Sequence, residues 1–178
     1  AIKSGRNEDG RRVNIPSENI VVENCEMKDG HGGVVMGSEI SAGVRNVYVR
    51  NCKMDSPNLD RAIRIKTNTL RGGFVDGVYV KDVEVGQVKE AVLKVNTHYG
   101  IYANQEGEFI PEIKNIYLEN ITVEKGGKYG LLIKGREATP VANINLKNVT
   151  IKGAEKPLEI EFAEEINYSN TTINGQQY

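Results

Sequence analysis

Six segments of the chain share one order of apolar and polar positions: residues 19–27, 46–54, 77–85, 115–123, 143–151 and 165–173. Their starts lie 27, 31, 38, 28 and 22 residues apart. A strict helical repeat would keep one spacing, whereas coils of one minimum length that carry different loops would not. Positions two and four are apolar in these segments, as in Ile20 and Val22, Val47 and Val49, or Ile116 and Leu118. That alternation predicts a strand with one face turned into a core. Position six is always Asn or Asp: Asn24, Asn51, Asp82, Asn120, Asn148 and Asn170. After it the apolar phase shifts to odd positions, as in Cys25 and Met27 or Ile121 and Val123. Such a shift needs a bend that reorients the pleat, and Asn tolerates the left-handed backbone of that bend. Stacked coils would align these side chains in a hydrogen-bonded ladder, expected to turn inward.

A second short strand follows each repeat, with candidates at residues 33–36, 62–66, 91–95, 130–134 and 157–161; residues 1–4 read as one more copy. Several short strands per turn, and no amphipathic helix of ten residues or more, predict an all-β protein, a right-handed parallel β-helix of about six coils. The pattern of leucine-rich repeats is absent, and a propeller would need more uniform blades. The register also predicts an outward stack of Tyr48, Tyr79 and Tyr117. A sugar platform is one use of such a stack, and mutual support of like side chains on adjacent strands is the plainer one.

A length of 178 residues suits one domain with a sizeable core, covering the whole chain. The net charge of −1 gives no global pull toward nucleic acid, so an acidic partner must be met by local cations. No apolar run is long enough for a membrane span. Cys25 and Cys52 share one register in consecutive coils and are expected to point inward as buried thiols, with a disulfide as the alternative. No Cys/His cluster has metal-ligand spacing, and no metal or cofactor is expected. Three glycosylation sequons start at Asn120, Asn148 and Asn170, each a ladder residue, and are expected to be out of reach.

Two stretches carry candidate chemistry. In Gly30-His31-Gly32 one functional side chain sits in permissive backbone, just before an apolar strand that ends in Gly37-Ser38. In Arg64-Ile65-Lys66, alternation turns Ile63 and Ile65 inward and leaves both cations on one outer face, about 6–7 Å apart. Arg offers a bidentate fork and Lys a point charge, a pair suited to a carboxylate-bearing ligand. Alone, such a histidine is more often structural, and such a pair is more often merely solvated.

Together they resemble the polygalacturonases of glycoside hydrolase family 28. Residues 24–38, with Met27, Gly30-His31-Gly32 and Met36-Gly37-Ser38, fit the family's His signature. Arg64-Ile65-Lys66 fits its Arg-Ile-Lys motif at the family's separation of 33 residues from His31. Residues 1–7 are similar to the stretch that follows the family's Asp-Asp pair, and residues 37–43 resemble bacterial, often exo-acting members more than fungal endo-enzymes. The resemblance spans the chain, with its specific motifs in residues 1–66. It implies a metal-free, inverting hydrolase of α-linked galacturonan, secreted to the cell exterior or periplasm, with a pectic polysaccharide as its partner. Inversion leaves room for a water between the acid and base carboxylates. The implied roles give His31 to organisation of the site, Arg64 and Lys66 to the galacturonate carboxylate, and Tyr99 to the cleft, with His98 and Tyr102 as competitors for that last place. The family's Asn-Thr-Asp and Asp-Asp motifs are absent and would precede Ala1; Asp55, Asp60 and Asp76 match neither and are expected in turns. The chain is therefore expected to be the C-terminal portion of a longer solenoid, inactive alone, with residues 1–10 disordered or paired with another chain through an open coil. Insertions at 67–76 and 98–114 are the expected cleft walls. A non-catalytic pectin-binding solenoid is the competing reading, and a pectate lyase a weaker one, since no carboxylate cluster for calcium is present.

Overall fold

A computed structural model describes residues 1–100 and 106–178. One helix, α1 (Asn7–Val13), precedes thirteen strands among the described residues. They are β1 (Ser17–Glu23), β2 (Glu26–Met27), β3 (Val34–Gly37), β4 (Val44–Asp55), β5 (Arg61–Lys66), β6 (Phe74–Gln87), β7 (Ala91–Asn96), β8 (Glu112–Lys125), β9 (Gly127–Lys134), β10 (Val141–Ile151), β11 (Ala154–Glu161), β12 (Ala163–Ile173) and β13 (Gln176–Gln177). The long strands stack in the order β1-β4-β6-β8-β10-β12-β13, with β2 beside β4, and the short ones in the order β3-β5-β7-β9-β11. All neighbours are parallel except β12 and β13. This is the right-handed parallel β-helix that the repeat predicted, and the six repeats pair in the register of their alignment, Val49 beside Val80 beside Leu118.

Each long strand bends twice. Asn46 and Asn51, Gly77 and Asp82, Asn115 and Asn120, and Asn143 and Asn148 all have positive φ. One left-handed residue rotates the pleat, so the core takes Val44, skips to Val47, takes Val49, and skips again to Cys52 and Met54. The first bend, at position one of the repeat, went unread in the sequence. The inward ladder is corrected as well: Asn24, Asn51, Asp82, Asn120, Asn148 and Asn170 are exposed. A left-handed corner points its side chain out of the coil, where Asn120 donates to Asp82 at 2.8 Å and Asn148 to Asn120 at 3.0 Å. The three sequons are therefore solvent-facing, with their amides engaged along the ladder.

The core is one cluster of aliphatic side chains from Val34 to Ile173, each fully buried one stabilising by about 1.5–3 kcal/mol. The hairpin Asn174-Gly175, both at positive φ, turns β13 back antiparallel and lays Tyr178 against Tyr168 at one end. At the other end Cys25 is exposed while Cys52 is buried, and both are free thiols. Cys25 was expected inside, but its coil is the outermost described. Among the first residues, Ile2 pairs with Met36 and Gly5 with Ile40 before α1 begins. Residues 1–4 thus extend the short sheet, as their pattern suggested.

Candidate substrate-binding site

The site lies on the outer face of the short sheet. Register sets Val35, Arg64, Lys94 and Leu132 in one column, and Gly37, Lys66, Asn96 and Lys134 in the next. Gly37 is required here, since a Cβ on it would lie 1.9 Å from the Lys66 carbonyl oxygen. Arg64 and Lys66 do share a face, but they are not a solvated pair, for Arg64 is only 8% exposed. Tyr99 covers them, its ring 4.4 Å from the Lys66 ammonium and 5.5 Å from the Arg64 guanidinium. Both contacts are within cation–π range.

The two insertions hold Tyr99 in place. Its N–H donates to the Thr67 carbonyl at 2.9 Å, and the Asn68 amide donates to its carbonyl at 2.7 Å. Further along, Phe109 bonds Thr69 and Glu112 bonds Gly73 through the backbone, so the loop after β5 is tied to residues 109–112. His98 is turned away, its Nε2 donating to the Gly135 carbonyl at 2.8 Å. Tyr102 lies outside the described residues. Of the competitors, Tyr99 is the one seen at the cations.

His31 stands on the turn before β3, 84% exposed in its side chain, with Nδ1 2.9 Å from Asp60 Oδ2. The parallel bridge between Gly30 and Leu59 sets the following residues, His31 and Asp60, side by side, and the Glu90 N–H bonds the Asp60 carbonyl. Three consecutive coils thus align His31, Asp60 and Glu90. Arg61 bridges them, reaching Asp60 at 2.9 Å and contacting Glu90, which also takes a 2.6 Å bond from Lys94. Sequence reasoning missed Arg61, Glu90 and Lys94 and set Asp60 aside with the turn acids. Asp60 lies just before β5, after the turn at Pro57-Asn58, whereas Asp55 and Asp76 lie in β4 and β6. Aligning the residues just before each short strand would have exposed the column.

The electrostatics follow from this pairing. Burial would raise the Asp60 pKa, but the His31 hydrogen bond and the Arg61 charge outweigh it and hold the carboxyl below its ordinary range. Burial, then the neighbouring Arg61, lowers Arg64. Burial, then Arg64 and Lys3, pushes Lys66 down to about 8. Among the described residues Arg61, Arg64, Lys66 and Lys94 stand near the carboxylates of Asp60 and Glu90, and both of these carboxylates are taken by Arg61 and Lys94. Among the described residues Arg64 and Lys66 have no carboxylate partner, and the buried Arg64 Nε has no hydrogen-bond acceptor. An uncompensated, buried guanidinium calls for an anion from outside. Among the described residues no group of three or more His, Cys, Asp or Glu is placed to hold a metal ion, and no helix is long and apolar enough to cross a membrane.

Comparison with known proteins bears on the fold and the family. Over 99% of its length the chain superposes on a hyperthermoactive exopolygalacturonase from Thermotoga maritima, with a TM-score of 0.90, 38% identity and 39% of that chain covered. A family 28 exopolygalacturonase from Yersinia enterocolitica matches over 95% of the chain at a TM-score of 0.62 and 23% identity, a likeness of fold, with 31% of that chain covered. A probable polygalacturonase of Vitis vinifera is 28% identical over 178 residues, which are 98% of this chain and 34% of the relative. The chain therefore spans about a third of the length of these proteins. The model of the glycosyl hydrolases family 28 matches residues 1–174, and the chain belongs to that family.

Proposed function

We propose that the chain is the sugar-acid-holding part of an inverting hydrolase that cleaves α-linked galacturonan. The observation that carries this reading is the pair of buried Arg64 and half-buried Lys66 beneath Tyr99, neither with a carboxylate partner among the described residues. A galacturonate carboxylate would accept from the Arg64 fork while the Lys66 ammonium neutralises it, and the sugar ring would rest beside Tyr99. His31, one coil toward the N-terminus, organises the reacting end. The acid and base carboxylates are supplied by coils outside this chain: Asp60 and Glu90, the acids in the His31 column, are spent on Arg61 and Lys94. The chain alone thus binds galacturonan without cutting it. Its parent works outside the cell or in the periplasm, where a polymer too large to enter the cytoplasm is met; cell fractionation tests that placement.

Calorimetry with trigalacturonate and with a neutral galactose oligomer tests the binding half, and only the acidic sugar is expected to bind. For the catalytic half, a chain extended by the relatives' preceding coils is expected to release reducing ends from polygalacturonate. Binding of the acidic sugar with no hydrolysis of any pectic polymer by the extended chain would leave a non-catalytic pectin-binding solenoid instead.

A further inference from the structure

Asp60 belongs to none of the sequence motifs that brought His31, Arg64 and Lys66 to notice, yet it is the described partner of the His31 ring. Nδ1 lies 2.9 Å from Asp60 Oδ2, and among the described residues Nε2 has no partner. Asp60 is fixed in turn. Its N–H donates to the Gly30 carbonyl at 2.8 Å, its carbonyl accepts from Glu90, and Arg61 Nη1 holds the same Oδ2 at 2.9 Å. Arg61 Nη1 also reaches the His31 carbonyl at 3.4 Å, so one guanidinium ties both the carboxylate and the backbone that carries the ring.

We propose that Asp60, clamped by Arg61, is a positioning residue that holds His31 as the Nδ1–H tautomer and leaves the Nε2 lone pair open as an acceptor. An ionised carboxylate has no proton to give, so a 2.9 Å contact to neutral imidazole requires the proton on Nδ1. Asp60 stays ionised, since the Arg61 charge and the His31 bond outweigh its burial. Free histidine prefers the other tautomer, with the proton on Nε2. A charge-assisted hydrogen bond is strong enough to invert that preference by roughly tenfold. At Nε2 the ring then accepts a hydrogen bond from a hydroxyl or a protonated carboxyl group. As it takes up a proton, the Asp60 charge stabilises the cation that forms. What donates at Nε2 rests on the galacturonan reading; the tautomer does not.

The chain has two histidines, His31 and His98, so long-range proton–nitrogen NMR of the ring nitrogens gives two patterns, separated with a His98→Gln variant. At a pH where both rings are neutral, His31 is expected to show a protonated Nδ1 and an unprotonated Nε2. In Asp60→Ala the pattern should revert to the Nε2–H form. A wild-type His31 found as Nε2–H, or one whose pattern Asp60→Ala leaves unchanged, would overturn the proposal. A purely structural Asp60 would change the melting temperature of the variant but not the tautomer. Should Asp60→Ala fail to fold, the wild-type spectrum alone decides. No sugar is present, so a failure to bind trigalacturonate would sink the proposed function and leave this result standing.

Discussion

The outer face of the long sheet and the Arg64–Lys66 stretch of the short sheet follow opposite rules. On the long sheet, like stacks on like. Tyr48, Tyr79 and Tyr117 lie with centroids 5.0 and 5.1 Å apart and interplanar angles of 12° and 3°, and charges answer one another from coil to coil, Arg50 with Glu23 and Lys147 with Glu119. The tyrosine rings cover each other's faces, which suits mutual support rather than a sugar platform. On the short sheet, Arg64 and Lys66 stand beside Lys94 and Asn96, and among the described residues the carboxylates of Asp60 and Glu90 are committed to Arg61 and Lys94. The core beneath both faces is equally aliphatic. A repeat can therefore satisfy every outward group by stacking copies of itself, and where it does not, the unsatisfied groups mark a place prepared for a ligand at some cost in stability.

Removing one arginine from each face should separate these rules most sharply. Arg64→Ala is expected to weaken trigalacturonate binding by about 2–5 kcal/mol, the usual loss for truncating one partner of a desolvated charge pair. Its melting temperature should stay level or rise, because an unpaired buried charge has gone. Arg50→Ala breaks an exposed ion pair worth under about 1 kcal/mol and should leave binding as it was. Calorimetry and thermal unfolding read both effects, and equal binding by the two variants would erase the distinction.

The pH dependence of binding is a narrower probe of the same face. Lys66 is pushed down to about 8 by burial first and then by Arg64 and Lys3. Its charged form is the one that attracts a carboxylate, so affinity should be level from about pH 5, where the sugar carboxylate is ionised, up to about 8 and fall above it, by at most about tenfold per pH unit. Lys94 titrates in the same window, at about 8 through burial and then Arg61 and Arg64, but its ammonium is spent on Glu90. Lys66→Arg keeps its charge throughout and should flatten most of the fall. A variant curve lying on the wild-type curve would show that Lys66 does not meet the ligand.

The comparison also explains what could be read from the residues alone. Apolar periodicity and the Asn at position six gave coil count, register and short strands, because burial leaves few choices for a two-residue period. His31, Arg64 and Lys66 were legible through motif spacing. The burial of Arg64 was not, since it depends on Tyr99 arriving from the next coil along an insertion of its own. Nor was the pairing of Asp60 with His31, which needs the bridge between Gly30 and Leu59 to set two turns in register. The outward direction of the ladder was misread because one left-handed residue, not an inward asparagine, is enough to shift the apolar phase.

That misreading turns into the smallest and most exacting test, on the face that satisfies itself. Asn120 sits at φ 55°, donating to Asp82 and accepting from Asn148. Asn120→Ala must hold the same left-handed corner without either bond and is expected to lose about 1–2 kcal/mol. Glu165 occupies the first-bend position at φ 54°, where Asn19, Asn46, Asn115 and Asn143 stand in other coils. A glutamate side chain gives no local support to that backbone, so Glu165→Asn should gain about 0.5–1 kcal/mol in denaturant unfolding. Neither variant should alter trigalacturonate binding, for both lie across the core from Arg64. If Glu165→Asn proved neutral while Asn120→Ala was costly, the ladder bonds would be the stabilising element and the left-handed strain would not. If both shifted as expected, the backbone corner itself is what the repeated asparagine serves.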